Sequence, residues 1–427
     1  MPLPSTLTKR TRAGRTVDAS TNGAGATTLV KGGFLALVGL VLVALNLRIA
    51  VTSLGPLLDE VRTGLHLSGA MAGFLTTLPA LAFAGFGVLT PWLVNRFSPA
   101  RVLVAAMLAL AAGQTLRAVT DSVLVFLATS AMALAGIAVG NVLMPVLVQR
   151  YFPHRAGLVT GAYSVALTVG ASVSAATAVP IAQALGSWRA GLGVWAAVAA
   201  VAVLPWLPAA LRRTPQLKRT ATRTATSSTA ARSGRVRPAR TRLGWAMAIY
   251  FGFQALGAYA TMGWLAQLFR DAGYHPQVAG LLLATVTTIG VPFALLMPTL
   301  ATRLASLRPL VLSLSLALLL AYLGLAFAPY GGALLWVGLL AIGQSSFPMI
   351  LAVIGLRART PEGTVALSAF AQSTGYVIAS FGPLLVGLLY EATAGWKAPV
   401  SFLIGAVVVQ TLAGLVIARP RHIEDEL

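Results

Sequence analysis

Twelve apolar stretches, each long enough to cross a bilayer, alternate with short polar connections along this chain. A hydrocarbon core of about 30 Å requires roughly 20 apolar residues in helical conformation. The stretches cover residues 33–58, 68–93, 102–116, 123–148, 157–185, 190–207, 245–269, 278–301, 310–327, 332–356, 365–389 and 400–417. This pattern predicts an all-α membrane protein with 12 transmembrane helices, which we number as spans 1 to 12.

One connection differs from the others because it is long and polar. It covers residues 211–242 and is rich in Arg, Thr, Ser and Ala, a composition typical of flexible linkers. It separates a predicted N-terminal six-helix bundle at 32–210 from a C-terminal one at 243–418. A basic cytoplasmic tail that we expect to be disordered covers 1–31, and a short cytoplasmic tail covers 419–427.

Positive charge is distributed unevenly across the predicted membrane. If span 1 enters from the cytoplasm, 25 of the 31 Lys and Arg residues lie on the cytoplasmic side, and Arg48 lies inside a helix. The five on the outer side are Arg62, Arg117, Arg189, Arg270 and Lys397. This bias predicts a multi-pass protein of the bacterial plasma (inner) membrane with both termini in the cytoplasm. Because span 3 is short, we expect Arg101 and Arg117 at its two ends to extend toward the membrane surface.

Composition excludes several classes of function. The chain is 57% hydrophobic and 10% charged, with a mean hydropathy of +0.83, which is unlike a soluble domain. Its net charge of +21 would suit nucleic acid, but no aromatic residues are interleaved with the basic ones, so we expect lipid contact and no nucleic-acid partner. Cysteine is absent and the four histidines are far apart, so we expect no metal, cofactor or catalytic centre.

The two halves repeat one another at an offset near 205 residues, which is typical of transporters built by duplication. Three pairs of motifs carry the repeat: Gly140-Asn141 with Pro145 and Gly343-Gln344 with Pro348, Trp188-Arg189-Ala190 and Trp396-Lys397-Ala398, and Gly55 and Gly263. We therefore predict two pseudo-symmetric bundles.

Four stretches of the chain have a distinctive sequence: Asn46–Leu58, Gly136–Pro145, Phe370–Tyr376 and Phe381–Gly387. Through them the chain resembles the major facilitator superfamily, and within it the cyanate permease and 2-nitroimidazole transporter branch. The sequence departs from this pattern at Ile49, where the branch usually has proline, and in a degraded loop motif at 91–98. The resemblance implies the major facilitator fold, a central cavity lined by spans 1, 4, 7 and 10, and transport of a small molecule.

Arg48 is the strongest candidate for a substrate-binding residue. It lies just past the middle of span 1, where a charged side chain costs at least about 2.5 kcal/mol. All ten acidic residues lie outside the spans or at their ends, so a carboxylate partner is not expected, although backbone carbonyls could accept its hydrogen bonds. Thr52 follows one turn later on the same face and joins the candidate site, whereas Asn46 lies on another face and is assigned to packing.

Amide and aromatic side chains form a second set of candidates for substrate binding. By the same resemblance they could face the cavity; the alternative for each is a hydrogen bond that joins two helices. The set comprises Asn141, Tyr163, Gln254, Tyr259, Gln344, Gln372 and Tyr376. We expect Asn141 and Gln344 to flank a site at the midplane because their motifs match.

These features favour a secondary active or facilitative transporter, acting as a monomer by alternating access. A guanidinium suits a small planar anion or a nitro-heterocycle, so we expect a cyanate-like or 2-nitroimidazole-like substrate. A broader drug or metabolite exporter of the same superfamily is the alternative. An integral membrane enzyme would need a nucleophile, base or metal cluster, and the sequence offers none. Without Asp, Glu or His in the membrane core, facilitated diffusion, exchange and an unusual proton route all stay open.

Overall fold

The computed structural model describes residues 22–152, 155–211 and 237–426 and is helical over nearly all of them. Spans 1 to 6 are Asn22–Thr52 continued by Gly55–Leu57 and Leu58–Leu65, Gly69–Arg96, Pro99–Val119, Val123–Tyr151, Ala156–Ala184 and Trp188–Val203. Spans 7 to 12 are Arg242–Asp271, Pro276–Arg303, Arg308–Phe327, Ala333–Gln344 with Ser346–Leu356, Pro361–Thr393 and Lys397–Ile417. Residues 1–21 of the predicted tail, 212–236 of the predicted linker and residue 427 lie outside the described ranges.

The prediction of twelve helices in two six-helix halves is confirmed, with one helix of unusual composition. Eleven segments of the described chain are long and apolar enough to cross a membrane. The twelfth, Arg242–Asp271, has 30 residues but carries Gln254 and Gln267, and both are buried inside the bundle. A helix surrounded by protein on most sides presents little surface to lipid, so span 7 tolerates more polar residues than the other spans.

Serine and threonine side chains mark where several spans begin. The hydroxyl of Ser68 accepts a hydrogen bond from the N–H of Met71 at 3.2 Å, and that of Thr241 accepts one from Gly244 at 3.0 Å. Each hydroxyl satisfies an N–H group that the first helical turn leaves without a partner. These residues therefore fix the starts of spans 2 and 7.

Prolines interrupt span 1 and span 10 near the middle of the bundle. The helix of span 1 ends at Thr52, and a 3-10 turn at Gly55–Leu57 contains Pro56. The N–H of Leu54 donates to the carbonyl of Val51 instead of the carbonyl of Ala50. The Ala50 carbonyl therefore has no hydrogen-bond partner within its own helix. In span 10 the helix breaks at Ser345, three residues before Pro348.

The halves touch backbone to backbone where span 1 crosses span 7. A Cβ atom on Gly55 would collide with the carbonyl oxygen of Met262 and would lie 3.5 Å from Leu283 in span 8. A Cβ atom on Gly263 would lie 2.9 Å from Thr76 in span 2. The two matched glycines thus make equivalent approaches to the opposite half, as pseudo-symmetry predicts.

Glycine contacts also reveal the register of the repeat in spans 3 and 4. Gly136 packs against the carbonyl of Ala106 and the side chain of Leu110, and Gly343 packs against the carbonyl of Leu314 and the side chain of Leu318. Gly343 therefore corresponds in packing to Gly136 rather than to Gly140. Gln344 then corresponds to Ile137, one turn from Asn141, because the Gly-amide motif lies one turn out of register between the halves.

Hydrogen bonds between the halves are confined to one end of the bundle and its middle. Arg270 in span 7 binds Glu60 at 2.7 Å and Asp59 at 3.3 Å, and Glu391 in span 11 accepts a hydrogen bond from the N–H of Ala70 at 2.9 Å. Toward the other end, where span 2 finishes at Arg96 and span 8 at Arg303, no hydrogen bond or ion pair joins the two halves in the described ranges. The bundle is therefore closed at the end opposite the C-terminal tail.

The C-terminal tail binds the starts of two spans of its own half. The carboxylate of Glu424 accepts hydrogen bonds from the N–H groups of Arg359 and Thr360 at 3.0 and 3.1 Å. Glu426 accepts one from the N–H of Leu243 at 2.9 Å. Carboxylates at helix N-termini are stabilising because these N–H groups carry partial positive charge. The tail thereby connects the beginnings of spans 7 and 11.

The expectation that Arg117 extends to the membrane surface is wrong. Span 3 runs from Pro99 to Val119, longer than the predicted 102–116, and Arg117 is 1% exposed. Its Nη1 donates to the unpartnered carbonyl of Ala50 at 3.4 Å. The break in span 1 therefore draws this guanidinium inward, which hydropathy cannot show.

Candidate substrate site

Arg48 lies in the middle of span 1 and faces span 7. Its side chain is half-buried, and Nη1 is 3.6 Å from the sulfur of Met262, a weak acceptor. None of the ion pairs among the described residues involves Arg48. Most N–H donors of the Arg48 guanidinium are therefore available to bind a ligand.

Aromatic rings from three spans form a cluster near Arg48. Tyr259 lies one turn before Met262 on the same helix face, and both Tyr259 and Tyr376 are close enough to Arg48 to experience its charge. Phe83 of span 2 stacks on Tyr376 of span 11 with ring centroids 5.5 Å apart, and its centroid is 6.5 Å from that of Tyr259. A guanidinium with aromatic side chains nearby is suited to a planar, electron-rich ligand.

Thr52 is placed differently from Arg48, although the two residues are one turn apart. Its side chain is fully buried, and its Oγ1 lies 2.6 Å from the hydroxyl of Ser174 in span 5 and 3.0 Å from the Arg48 carbonyl oxygen. The hydroxyl is therefore engaged in joining spans 1 and 5. It supports the helix turn that carries Arg48.

A second polar group forms in the C-terminal half around the break in span 10. Because Pro348 has no N–H, the carbonyl of Gln344 lacks its helical partner, and Nε2 of Gln254 donates to it at 3.3 Å. The same Nε2 lies 3.2 Å from Oε1 of Gln344, whose own amide nitrogen is 3.4 Å from the hydroxyl of Thr261. The structure brings Gln254 and Gln344 together across spans 7 and 10.

The other three candidates are half-buried and bond within their own helices or pack against neighbours. Nδ2 of Asn141 donates to the carbonyl of Ile137 at 3.0 Å, and Nε2 of Gln372 bonds to the hydroxyl of Ser368 at 2.8 Å. Tyr163 packs against the edge of the core. None of the hydrogen bonds within the described chain joins them to Arg48, so their role in binding stays a prediction. Asn46 is buried and donates to the carbonyl of Val198 in span 6 at 3.3 Å, as packing predicts.

The site offers a fixed positive charge, aromatic faces and neutral amides. Among the described residues, no group of three His, Asp or Glu side chains is arranged to hold a metal ion. Such a site can select a ligand by charge and shape. Sequence reasoning missed Met262 and Phe83, whose hydrophobic side chains gave no signal in apolar helices.

Twelve helices in two similar halves, joined at a polar centre, define a membrane carrier. A family profile described as Major Facilitator Superfamily matches residues 37–383, and the chain belongs to this family. The chain is 32% identical to the uncharacterized transporter YycB of Bacillus subtilis (strain 168), covering 91% of this chain and 95% of that protein. It is 31% identical to the 2-nitroimidazole transporter of Escherichia coli (strain K12), over 92% and 98% of the two chains. It is 29% identical to the cyanate transport protein CynX of the same organism, over 84% and 90%.

Solved structures share the fold at low sequence identity. The D-xylose-proton symporter superimposes with a TM-score of 0.73 at 15% identity, covering 92% of this chain and 99% of its own. A bacterial homologue of the human lysosomal transporter Spinster, in an inward-facing and occupied conformation, gives 0.71 at 16% identity over 92% and 97%. Membership of the family and the similarity to the three transporters above make the protein a multi-pass membrane transporter and not an enzyme.

Proposed function

We propose that the protein moves a small planar anion or nitro-heterocycle, cyanate-like or 2-nitroimidazole-like, across the membrane by alternating access. The observation that carries this proposal is the half-buried guanidinium of Arg48, which has a thioether as its neighbour instead of a carboxylate. A planar ligand between Arg48, Tyr259 and Tyr376 would receive hydrogen bonds at its edge and stacking on its face. The two Escherichia coli relatives, named for 2-nitroimidazole and cyanate, support the same class of substrate.

The orientation in the bilayer follows from the charge distribution. We infer an inner-membrane monomer with both termini in the cytoplasm, organised as the bundles at 32–210 and 243–418 joined by the linker at 211–242. The excess of Lys and Arg on one side supports this orientation. In that orientation the bundle, closed near Arg270 and Glu60, faces inward.

A binding screen tests the substrate class. The purified protein would be titrated with potassium cyanate, 2-nitroimidazole, benzoate and the bulky cation tetraphenylphosphonium, with binding followed by calorimetry. We expect saturable binding of cyanate or 2-nitroimidazole and none of tetraphenylphosphonium. Saturable binding of the cation, with no response to the small planar compounds, would instead support the broad-specificity exporter.

The variant Arg48→Met is the matched comparison in this screen, because it removes the charge and keeps a similar volume. It should abolish binding of the small planar compound. The variant Arg101→Met serves as its control, since Arg101 lies at the start of span 3, where its Nε donates to the carbonyl of Ala210 at 2.9 Å. Equal binding by the wild type and Arg48→Met would overturn the assignment of Arg48.

A further inference from the structure

A second guanidinium is buried inside the N-terminal half, near the end of span 3. Arg117 of span 3 is 1% exposed, and its Nε and Nη2 have no hydrogen-bond partner among the described residues. Its single hydrogen bond, from Nη1 to the carbonyl of Ala50, is long at 3.4 Å. Removing a cation from water costs several kcal/mol unless it is paired and hydrogen-bonded. The described neighbours of Arg117 supply only a small part of that compensation.

Other buried polar groups near Arg117 are also unpartnered. Ser130 of span 4 is 1% exposed and its hydroxyl has no partner, although a helical serine usually bonds to a carbonyl one turn earlier. Gln114, one turn before Arg117, is fully buried and neither of its side-chain polar atoms is bonded. Arg117 and Ser130 also face one common cavity, and unsatisfied polar atoms that face the same cavity indicate a ligand or ordered solvent.

A small interior cavity connects these groups to the contact between the halves. Arg117 and Ser130 line it, together with Thr76 of span 2 and Gly263 of span 7. The remaining lining residues are Ala50, Val51, Leu54, Leu75, Pro79 and Leu134. Its size suits a species comparable to about one water molecule, far smaller than a heterocycle. No acidic residue lines the cavity, so the charge of its wall is positive.

The fold itself does not require an arginine at this position. Leu314 and Leu318 pack in the C-terminal half as Ala106 and Leu110 pack in the N-terminal half, 208 residues earlier. The same offset makes Leu325 the equivalent of Arg117. Leu325 is 3% exposed and lines a different cavity, between spans 7, 9, 11 and 12. A buried leucine is therefore sufficient for helix packing at the equivalent position. The presence of a charged side chain at Arg117 is not explained by packing.

We propose that Arg117 and Ser130 form an occluded binding site for a small monovalent inorganic anion of chloride size. The guanidinium supplies charge and the Nε and Nη2 donors, and the serine hydroxyl supplies a further donor. The anion neutralises the buried cation beside the break in span 1. The cavity lies one helical turn from the ring cluster, because Pro79 is four residues from Phe83 and Gly263 is four residues from Tyr259. Neither Tyr259 nor Tyr376 lines it, and the proposed anion site does not depend on the identity of the transported substrate.

Because Gly263 belongs to the opposite half, the cavity is fully walled only while the halves are closed at this end. Anion binding therefore stabilises the closed arrangement seen here. The melting temperature of the purified protein should rise with chloride, because a ligand that binds only the folded state stabilises it by RT ln(1 + L/Kd), where L is the ligand concentration.

The test measures the melting temperature of the full-length protein as sodium chloride or sodium bromide replaces sodium gluconate, up to about 0.3 M at constant ionic strength. We expect a rise with either halide in the wild type, which becomes linear in the logarithm of the halide concentration above the Kd. The variant Arg117→Gln keeps a donor for the Ala50 carbonyl and removes the charge, so its melting temperature should not respond to halide. Arg48→Met should respond like the wild type, which separates this site from the proposed substrate site.

A second variant keeps the test decisive if Arg117→Gln does not fold. Ser130→Ala removes one donor without adding volume and should weaken the apparent halide affinity by about tenfold. A wild-type melting temperature that is equal in chloride and gluconate would overturn the proposal and leave Arg117 as a cap of span 1. A halide response of wild-type size in both Arg117→Gln and Ser130→Ala would overturn it equally.

Discussion

Arg48 and Met262 belong to different halves, yet their Nη1 and Sδ atoms lie 3.6 Å apart in the middle of the bundle. A thioether is too weak an acceptor to hold a guanidinium. Arg48 can therefore exchange this contact for a stronger acceptor on a ligand without breaking an ion pair. This relationship determines what substitutions of Arg48 should do.

Replacing Arg48 by methionine should abolish transport and leave the melting temperature near that of the wild type, because it removes a half-buried charge that has no carboxylate partner. Lysine should restore transport only partly, since it keeps the charge and loses the planar fork of donors. Uptake into proteoliposomes and thermal unfolding measure the two effects separately. Transport at the wild-type rate by Arg48→Met, or its failure to fold, would show that Arg48 is a structural residue.

A methyl group at Gly55 should impair the crossing of spans 1 and 7. The added Cβ meets the carbonyl of Met262, and overpacking of this kind typically costs about 1 to 3 kcal/mol. We expect Gly55→Ala to lower both the melting temperature and the transport rate. Gly85→Ala is the control, because a Cβ at Gly85 in span 2 meets no atom within 4 Å. Equal effects of the two variants would contradict a specific role for the crossing.

The hydrogen bond between Thr52 and Ser174 should stabilise the N-terminal half without contributing directly to substrate affinity. A double-mutant cycle with Thr52→Val and Ser174→Ala should give a coupling free energy of about 0.6 kcal/mol, the size found for such bonds between membrane helices. Substrate affinity, measured by calorimetry, should change by less than about threefold. A larger loss of affinity in Thr52→Val than in Ser174→Ala would place the Thr52 hydroxyl on the substrate.

The C-terminal tail should make stability sensitive to acid. Burial tends to raise the pKa of Glu424, but hydrogen bonds from the Arg359 and Thr360 N–H groups and the Thr360 hydroxyl outweigh it and hold this pKa below its usual value. A carboxyl group with a lowered folded pKa stabilises the protein above its unfolded pKa of about 4.3, and the contribution is lost as pH falls through the folded pKa. The melting temperature should therefore fall over this acidic range.

Glu424→Gln should lower the melting temperature at pH 7 and flatten the acid-induced decrease. The control Asp121→Asn changes a carboxylate at the opposite end, where its partner is Arg189. Asp121→Asn should show the same acid-induced decrease in melting temperature as the wild type. A pH profile of Glu424→Gln identical to that of the wild type would show that the tail does not stabilise spans 7 and 11.

Hydropathy predicted the spans well because a bilayer imposes a strict minimum length on every apolar segment. The predicted start of span 4 at residue 123 and end of span 9 at residue 327 agree with Val123 and Phe327 in the structure. Span 3 was predicted too short because Arg101 and Arg117 interrupt the apolar run. The inward turn of Arg117 depends on the break near Pro56, a contact between distant residues that no local pattern encodes.

The sequence predicted the candidate site only at positions where the side chain has a high free-energy cost of insertion into the membrane. Arg48 stood out because a charge in the core is rare, and its lack of a carboxylate followed from the positions of the acidic residues. Thr52 shares the face of Arg48 in sequence, but Ser174 on another helix determines where its hydroxyl points. The register of the repeat was similarly hidden, because Gly136 and Gly140 are indistinguishable until the neighbours of each are known.

The contact of Gly263 with Thr76 would be the pivot point if the two halves rotate against each other as rigid bodies. Gly69, where span 2 begins, is about 10 Å away along the helix, and Arg96, where it ends, is about 30 Å away. A tilt of about 10° would displace these points by about 2 and 5 Å along unequal lever arms. A small separation of the halves at the closed end thus produces a displacement about three times larger at the opposite end. Distances between paired spin labels near Gly69 and near Arg96 would measure this ratio.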